Sequence, residues 1–434
     1  MIQSNREITK QDLIDQYVGF SIWSLPTPSL IISQAALERN VEAVKANLAV
    51  ADLSSLTNNQ QITPLLRVHI KTLKALEVTR LASAPSLSGT NGRIICSTLE
   101  EIRQTLPLVE SGEITDILYG VPPAKSYLPQ LAEFRHHMRT LLNKNSELRL
   151  VIDHPDQLDM ALDETNGGAP DWTFFLKINC GDNRAGTTVT APEFSAILNR
   201  VNSSDLGLYG IYCHAGGSYS GNDLAAAQGH LKRELAAAIQ AVEAIRSHNS
   251  TAEGEIVEIE DLVMSIGATP TASVYSGAII EEFQSHWPVK TRLEIHAGNF
   301  VSLDLQQVAT GLNKAQSDIT THVLAEITSY YPERSEYMVN AGVLALAREP
   351  GRIKGVAVVE NHDGWVVDRV SQEHGILKQL VSTKDTESAT QPWKLGDKVL
   401  LLPQHACITS SCHDWYFVEK DHIVIDVWRP CRHW

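Results

Sequence analysis

The chain has 434 residues, 43% of them apolar and 20% charged, with a formal net charge of −15. That length allows two or three domains around a large core. The charge excludes nucleic-acid binding through an overall basic field, while leaving room for a local basic pocket that takes a small anion.

In chain order, the opening stretch Met1-Ile2-Gln3-Ser4-Asn5-Arg6-Glu7 is polar and has no apolar signal core. No apolar run approaches the roughly 18 residues of a membrane span. Together these predict a cytoplasmic protein with no membrane partner. Residues 1–25 read as a polar lead-in, ended by Leu25-Pro26-Thr27-Pro28. A short strand at Leu30-Ile31-Ile32 precedes a helix on which Leu37, Val41, Val44 and Leu48 recur at helical spacing, with Ser33 as its cap.

From residue 65 the pattern is regular. Strand-like runs fall at 65–70, 93–97, 116–120, 148–153, 172–179, 207–213, 261–266 and 292–296, with helical stretches at 73–83, 98–110, 124–138, 155–164, 191–201 and 222–248. Eight strands alternating with helices predict an α/β fold, a parallel (β/α)8 barrel, with an open doubly wound sheet as the alternative. In a barrel the site is built at the C-terminal strand ends, which is where the polar residues collect. After residue 300 the segments 321–331, 336–347, 353–360, 364–370, 397–403 and 415–428 read as strands without helices between them, and 382–391 as a loop tip. The predicted organisation is a lead-in at 1–25, a barrel at 26–310 and an all-β C-terminal domain at 311–434.

Leu65-Leu66-Arg67-Val68-His69-Ile70-Lys71-Thr72-Leu73-Lys74 stands out. A period of two puts Leu66, Val68 and Ile70 on one face and Arg67, His69 and Lys71 on the other. A lone Lys is usually a solvated surface residue. In this company Lys71 becomes a candidate to form a Schiff base with an aldehyde cofactor and to act as a base. Three later strand exits add candidates. Gly181-Asp182-Asn183-Arg184-Ala185-Gly186 brings a fixed cation on a flexible turn, and reads equally as an ordinary turn with a surface Arg. Tyr212-Cys213-His214-Ala215-Gly216-Gly217-Ser218-Tyr219 is dense in hydrogen-bonding groups. Ser265-Ile266-Gly267-Ala268-Thr269-Pro270-Thr271 exposes backbone N–H groups of the kind that hold a phosphate.

The six cysteines, Cys96, Cys180, Cys213, Cys407, Cys412 and Cys431, have no paired spacing and read as thiols or metal ligands. In His405-Ala406-Cys407 an extended backbone would set an imidazole and a thiolate side by side, a pair that suits a catalytic zinc with open positions. A buried structural Cys beside a hydrogen-bonded His is the plainer alternative. His413 and Asp414 are further possible ligands.

These pieces together resemble the eukaryotic, fungal-type D-serine dehydratases that use zinc and pyridoxal phosphate, relatives of D-threonine aldolase and alanine racemase. The resemblance rests on Arg67-Val68-His69-Ile70-Lys71-Thr72, Ile117-Leu118-Tyr119-Gly120, Tyr212-Cys213-His214-Ala215-Gly216 and Gly267-Ala268-Thr269-Pro270-Thr271. It continues through Glu294-Ile295-His296-Ala297-Gly298-Asn299, Ser371-Gln372-Glu373-His374-Gly375 and Pro403-Gln404-His405-Ala406-Cys407. It departs from the family's Arg-Pro-His-x-Lys-Thr-His-Lys at Val68 and Leu73.

The resemblance implies a barrel followed by a β domain. It implies that Lys71 holds the cofactor, with His69, Tyr212, His214 and Tyr219 lining its site, Gly267, Ala268 and Thr269 binding its phosphate, and Arg184 facing the pyridine nitrogen. It implies that His405 and Cys407 hold zinc, which would polarise the β-hydroxyl of D-serine during elimination to pyruvate and ammonia. It also implies a homodimer. The rivals are an aldolase acting on D-threonine or a 3-hydroxy-D-aspartate, a non-catalytic pyridoxal phosphate carrier, and a barrel with no cofactor.

Overall fold

The computed structural model describes residues 8–50, 64–84, 91–163, 172–202, 206–251, 261–288, 290–312, 315–380 and 392–432. The polar opening at 1–7 and the expected loop tip at 382–391 lie outside the described residues. The chain divides into two compact units, one of Met1–Val41 with Val301–Pro430, the other of Glu42–Phe300 with Cys431–Trp434.

The first strand is β1 (Ser29–Ser33). The next eight are β2 (Leu65–His69), β3 (Gly92–Cys96), β4 (Ile114–Tyr119), β5 (Glu147–Ile152), β6 (Thr173–Ile178), β7 (Gly207–Cys213), β8 (Val263–Ile266) and β9 (Arg292–Ala297). The last eight are β10 (Thr321–Tyr331), β11 (Glu336–Val339), β12 (Ala357–Val359), β13 (Trp365–Val370), β14 (Gly375–Gln379), β15 (Lys398–Pro403), β16 (Tyr416–Lys420) and β17 (Ile423–Trp428).

In the second unit β2 to β9 pair in order, all parallel, and β9 returns to β2 to close the barrel. The open-sheet alternative is thereby excluded. The helices Leu76–Ser83, Leu99–Glu110, Leu128–His137, Pro155–Asp163, Pro192–Asn202 and Leu224–Thr251 follow the strands. Alternation decides which side chains fill the barrel. Ile95, Leu118, Val151, Phe175, Tyr212 and Val263 form one apolar cluster inside it. On β2 the same alternation buries Val68 on one face and Arg67 on the other.

In the first unit nine strands run in the order β11-β14-β13-β12-β15-β10-β1-β16-β17, and an added pairing of β11 with β10 closes six of them into a ring. Here the expected boundaries need correction. β1 lies antiparallel to β10 and parallel to β16, so it belongs to this sheet and not to the barrel. The expected lead-in is also structured. It contains the helix Lys10–Tyr17 with a Thr9–Asp12 capping box, and Leu13, Ile22 and Leu25 join the core with Ile31, Leu324, Phe417 and Val427. The stretch is polar on average, but its few apolar residues sit where one helical face can bury them. β14 was not expected from the sequence, because Lys378 and Gln379 leave it exposed at its end.

Candidate active site

Besides the apolar cluster, the inward residues of the barrel form two polar layers. Toward the N-terminal end of the strands lies an ion network. Arg67 is fully buried and donates to Glu294 Oε1 (2.6 Å) and Asp116 Oδ1 (2.7 Å). Arg149 and Arg93 reach Asp116 Oδ2 at 3.1 and 3.4 Å, and Arg93 donates to the Tyr209 hydroxyl at 2.8 Å. Burial alone would lower the Arg67 pKa, but Asp116 and Glu294 overcome it and hold the guanidinium charged. Arg67 thus serves the core, where its carboxylate partners already satisfy it, and is not free to take an anionic cofactor.

The upper layer, at the C-terminal strand ends, has the opposite character. It gathers His69, Lys177, His214 and His296, all basic. His69 is half-buried, with Nε2 3.4 Å from Ser97 Oγ and its buried Nδ1 without a partner among the described residues. Its pKa lies well below the usual histidine value because of burial, with Lys71 and His214 adding to the effect. His214 donates from Nδ1 to the Gly267 carbonyl at 2.7 Å. Burial, then Arg184, brings it down to about 3. The Lys177 ammonium sits 4.6 Å over the Tyr212 ring, and burial with help from Arg184 lowers it to about 8. The Tyr212 ring stacks in parallel on His296 at 4.2 Å.

Lys71 follows β2 in the turn Ile70–Lys74, which is closed by Lys74 N–H to the Ile70 carbonyl at 3.0 Å. The charge of Lys71 acts on both His69 and His214, which locates the amine at this layer. Leu73, where the family has a second His, is buried. A Cβ on Gly298 would come within 2.7 Å of the His69 carbonyl, so only glycine lets the β9 exit lie against this turn.

The loops over the layer are tied down from below. Glu234, on the helix Leu224–Thr251, is fully buried, and its Oε1 accepts from Ala215 N (2.6 Å) and Gly267 N (3.2 Å). One carboxylate therefore joins the loop that carries Tyr219 to the loop of Gly267, Ala268 and Thr269. Gly267 has φ +143, and a Cβ there would lie 2.2 Å from the His296 carbonyl. Thr269 is buried and its hydroxyl has no partner among the described residues. Arg184 is exposed in its turn, where Asp182 accepts from Gly217 N at 2.9 Å.

The structure therefore places Lys71, His69, Arg184, Tyr212, His214, Tyr219, Gly267, Ala268 and Thr269 at the C-terminal exits of the barrel strands. Lys177, His296 and Glu234 were missed from sequence. Lys177 and His296 have the inward parity of Phe175 and Glu294 on their strands. Glu234 is an acid among Leu231, Leu235 and Ala238 on a buried helical face, and that was its signal.

In the first unit His405 is not in an extended pair with Cys407. It caps the short helix Ala406–Ser411, and Cys407 stands in that helix. The two side chains still meet through a hydrogen bond. Glu349 Oε2 lies 4.0 Å from His405 Nδ1. Burial disfavours the His405 charge, but Cys407, Asp304 and Glu349 outweigh it and raise the pKa. His413 is engaged with the Ala345 carbonyl at 2.9 Å. Among the described residues no group of three or more His, Cys, Asp or Glu is arranged to hold a metal ion.

Comparison with known proteins agrees with this architecture. Residues 32–261 match the alanine racemase N-terminal domain, and residues 320–419 match a putative serine dehydratase domain. The solved D-threo-3-hydroxyaspartate dehydratase from Delftia sp. HT23 superposes with a TM-score of 0.76 at 24% identity, covering 95% of this chain and all (100%) of that one. D-Serine dehydratase of Schizosaccharomyces pombe is 35% identical over 98% of this chain and 96% of its own length. The Saccharomyces cerevisiae enzyme of the same name is 32% identical over 98% and 100%. With two such relatives matched almost from end to end, the chain belongs to the family of eukaryotic D-serine dehydratases.

Proposed function

We propose that the protein is a lyase that converts D-serine to pyruvate and ammonia with pyridoxal phosphate and zinc. The observation that carries the activity is the full-length identity to D-serine dehydratases, on a barrel whose upper layer is built from bases.

The upper layer suits the organic cofactor. Buried His69 Nδ1, His296 Nε2 and Thr269 Oγ1 have no partner among the described residues, which a polar ligand would relieve. Gly267, with φ +143 and its Cβ position blocked by the His296 carbonyl, lets its loop lie directly against the β9 exit beside these atoms. Lys71 would hold the cofactor, Gly267, Ala268 and Thr269 its phosphate, and Arg184, His69, Tyr212, His214 and Tyr219 its ring. When bound, pyridoxal phosphate supplies an electron sink for charge at the amino acid's α-carbon. Lys71 Nζ, close to the neutral imidazoles of His69 and His214, takes the α-proton of the substrate.

His405 and Cys407 would hold the zinc. A nitrogen and a sulfur already within hydrogen-bonding reach are a donor pair that zinc accepts readily. When bound, zinc supplies a Lewis acid for a leaving hydroxyl.

Lys71→Ala is expected to remove both the visible absorbance of the purified protein and pyruvate formation; retention of either overturns the assignment. Chelation is expected to stop pyruvate formation and leave the absorbance. Glycine formed from D-threonine in place of pyruvate from D-serine would favour the aldolase. Among the described residues no helix is long and apolar enough to cross a membrane. The proposal extends to a cytoplasmic homodimer, tested by light scattering of the holoenzyme and by fractionation.

A further inference from the structure

His296, on β9, is buried beside the site. Its Nδ1 lies 3.0 Å from Ser265 Oγ. That hydroxyl is also 2.8 Å from Glu294 Oε1, the oxygen on which Arg67 Nε closes at 2.6 Å. A hydroxyl has one hydrogen, and a carboxylate that pairs with a guanidinium can only accept. Ser265 must therefore donate to Glu294. It can meet His296 only as an acceptor, so the proton of the imidazole sits on Nδ1. Burial, reinforced by His214, Lys177, His69 and Arg67, holds the ring neutral. Nε2 is then a bare lone pair, buried and without a partner among the described residues. A half-turn of the ring about Cβ–Cγ would keep its 4.2 Å stack on Tyr212 but give up the Ser265 bond.

We propose that His296 is a further ligand-binding residue of this site, whose bare Nε2 accepts a hydrogen bond from an N–H or O–H donor of the bound cofactor. Ser265, Glu294 and Arg67 are positioning residues that fix its tautomer from below. The inference rests on the pyridoxal phosphate reading and extends it to four residues that the sequence motifs did not single out for this role.

The test uses the full-length protein stripped of cofactor and titrated with pyridoxal phosphate, with affinity read from absorbance. His296→Phe keeps a ring on Tyr212 and removes both nitrogens. Its affinity is expected to fall about tenfold, the worth of one buried hydrogen bond. His296→Gln, which can place an amide oxygen near the position of Nε2, is expected to recover part of the loss. Ser265→Ala removes one hydroxyl and serves if the Phe variant does not fold. It is expected to weaken binding severalfold and to mix the His296 tautomers seen by nitrogen NMR. Wild-type affinity in both His296→Phe and Ser265→Ala, or an NMR signal showing the proton on Nε2, overturns the inference. Failure of the wild-type protein to take up pyridoxal phosphate sinks the cofactor reading, and this inference with it. Uptake by the wild type and equal uptake by the variants sinks this inference alone.

Discussion

The two ends of the same barrel treat buried charge in opposite ways. At the N-terminal end Arg67, Arg93 and Arg149 close on Asp116 and Glu294, and Asp116 is held ionised because its three arginines outweigh the cost of burial. At the C-terminal end His69, Lys177, His214 and His296 face one another, and among the described residues none of them is ion-paired. β2 supplies Arg67 to the first layer and His69 to the second, and β9 supplies Glu294 and His296. A step of two residues along a strand therefore separates a finished structural network from a set of bases waiting for a partner. Paired charge stabilises a core, whereas unpaired base is strain that only a ligand or a proton can relieve.

The largest expected effect breaks the finished end. Glu294→Ala removes one of the two carboxylates that neutralise fully buried Arg67. Leaving a buried charge short of its partner costs about 3–5 kcal/mol. Calorimetry should show a large fall in Tm. An unchanged Tm would mean that Asp116 alone suffices and that the layer is less finished than it looks.

The unfinished end should respond with the opposite sign. Folding lowers the Lys177 pKa from 10.5 to about 8. Between those values the unfolded chain binds more protons, so stability rises with pH. Below about 8 the full penalty is present, on the order of 3 kcal/mol as an upper bound. Lys177→Met should therefore raise Tm at pH 7, and its advantage should shrink as pH rises from 8 toward 10.5. A loss of stability at pH 7 would show that the amine is held by more than its contact with Tyr212.

Much of this contrast was legible in the sequence, and the part that was not has a physical reason. All eight barrel strands follow from apolar runs, because a buried parallel strand needs them on both faces. The alternation of Arg67, His69 and Lys71 with Val68 and Ile70 was visible too. What it did not show is that Arg67 and His69 do different work, since that depends on Asp116 and Glu294 arriving from strands far away in sequence. β1 was assigned to the barrel because its pairing with β10 and β16 spans nearly the whole chain. His405 and Cys407 are neighbours through the helix Ala406–Ser411, which replaces the extended geometry that the sequence suggests.

The smallest effect sharpens the comparison at a buried acid that serves the upper layer. Burial pushes Glu234 up to about 8, against the pull of the Ala215 and Gly267 amides it accepts from. Its value in the unfolded chain is 4.5, so between 4.5 and about 8 the folded state binds more protons and stability falls as pH rises. Glu234→Gln keeps an oxygen for the two amides and cannot ionise. Its Tm should match the wild type near pH 4.5 and exceed it increasingly up to pH 8, with little change in affinity for pyridoxal phosphate. Glu234→Ala removes the acceptor, strands both N–H groups and frees the Gly267 loop from the Ala215 loop. Each stranded group costs about 1–3 kcal/mol, and part of that should appear as weaker cofactor binding. If Ala and Gln bind the cofactor equally well, Glu234 fills space and the loops are held by their own turns. If only Ala is impaired, a single buried carboxylate sets the spacing of two loops on which the empty-handed bases depend.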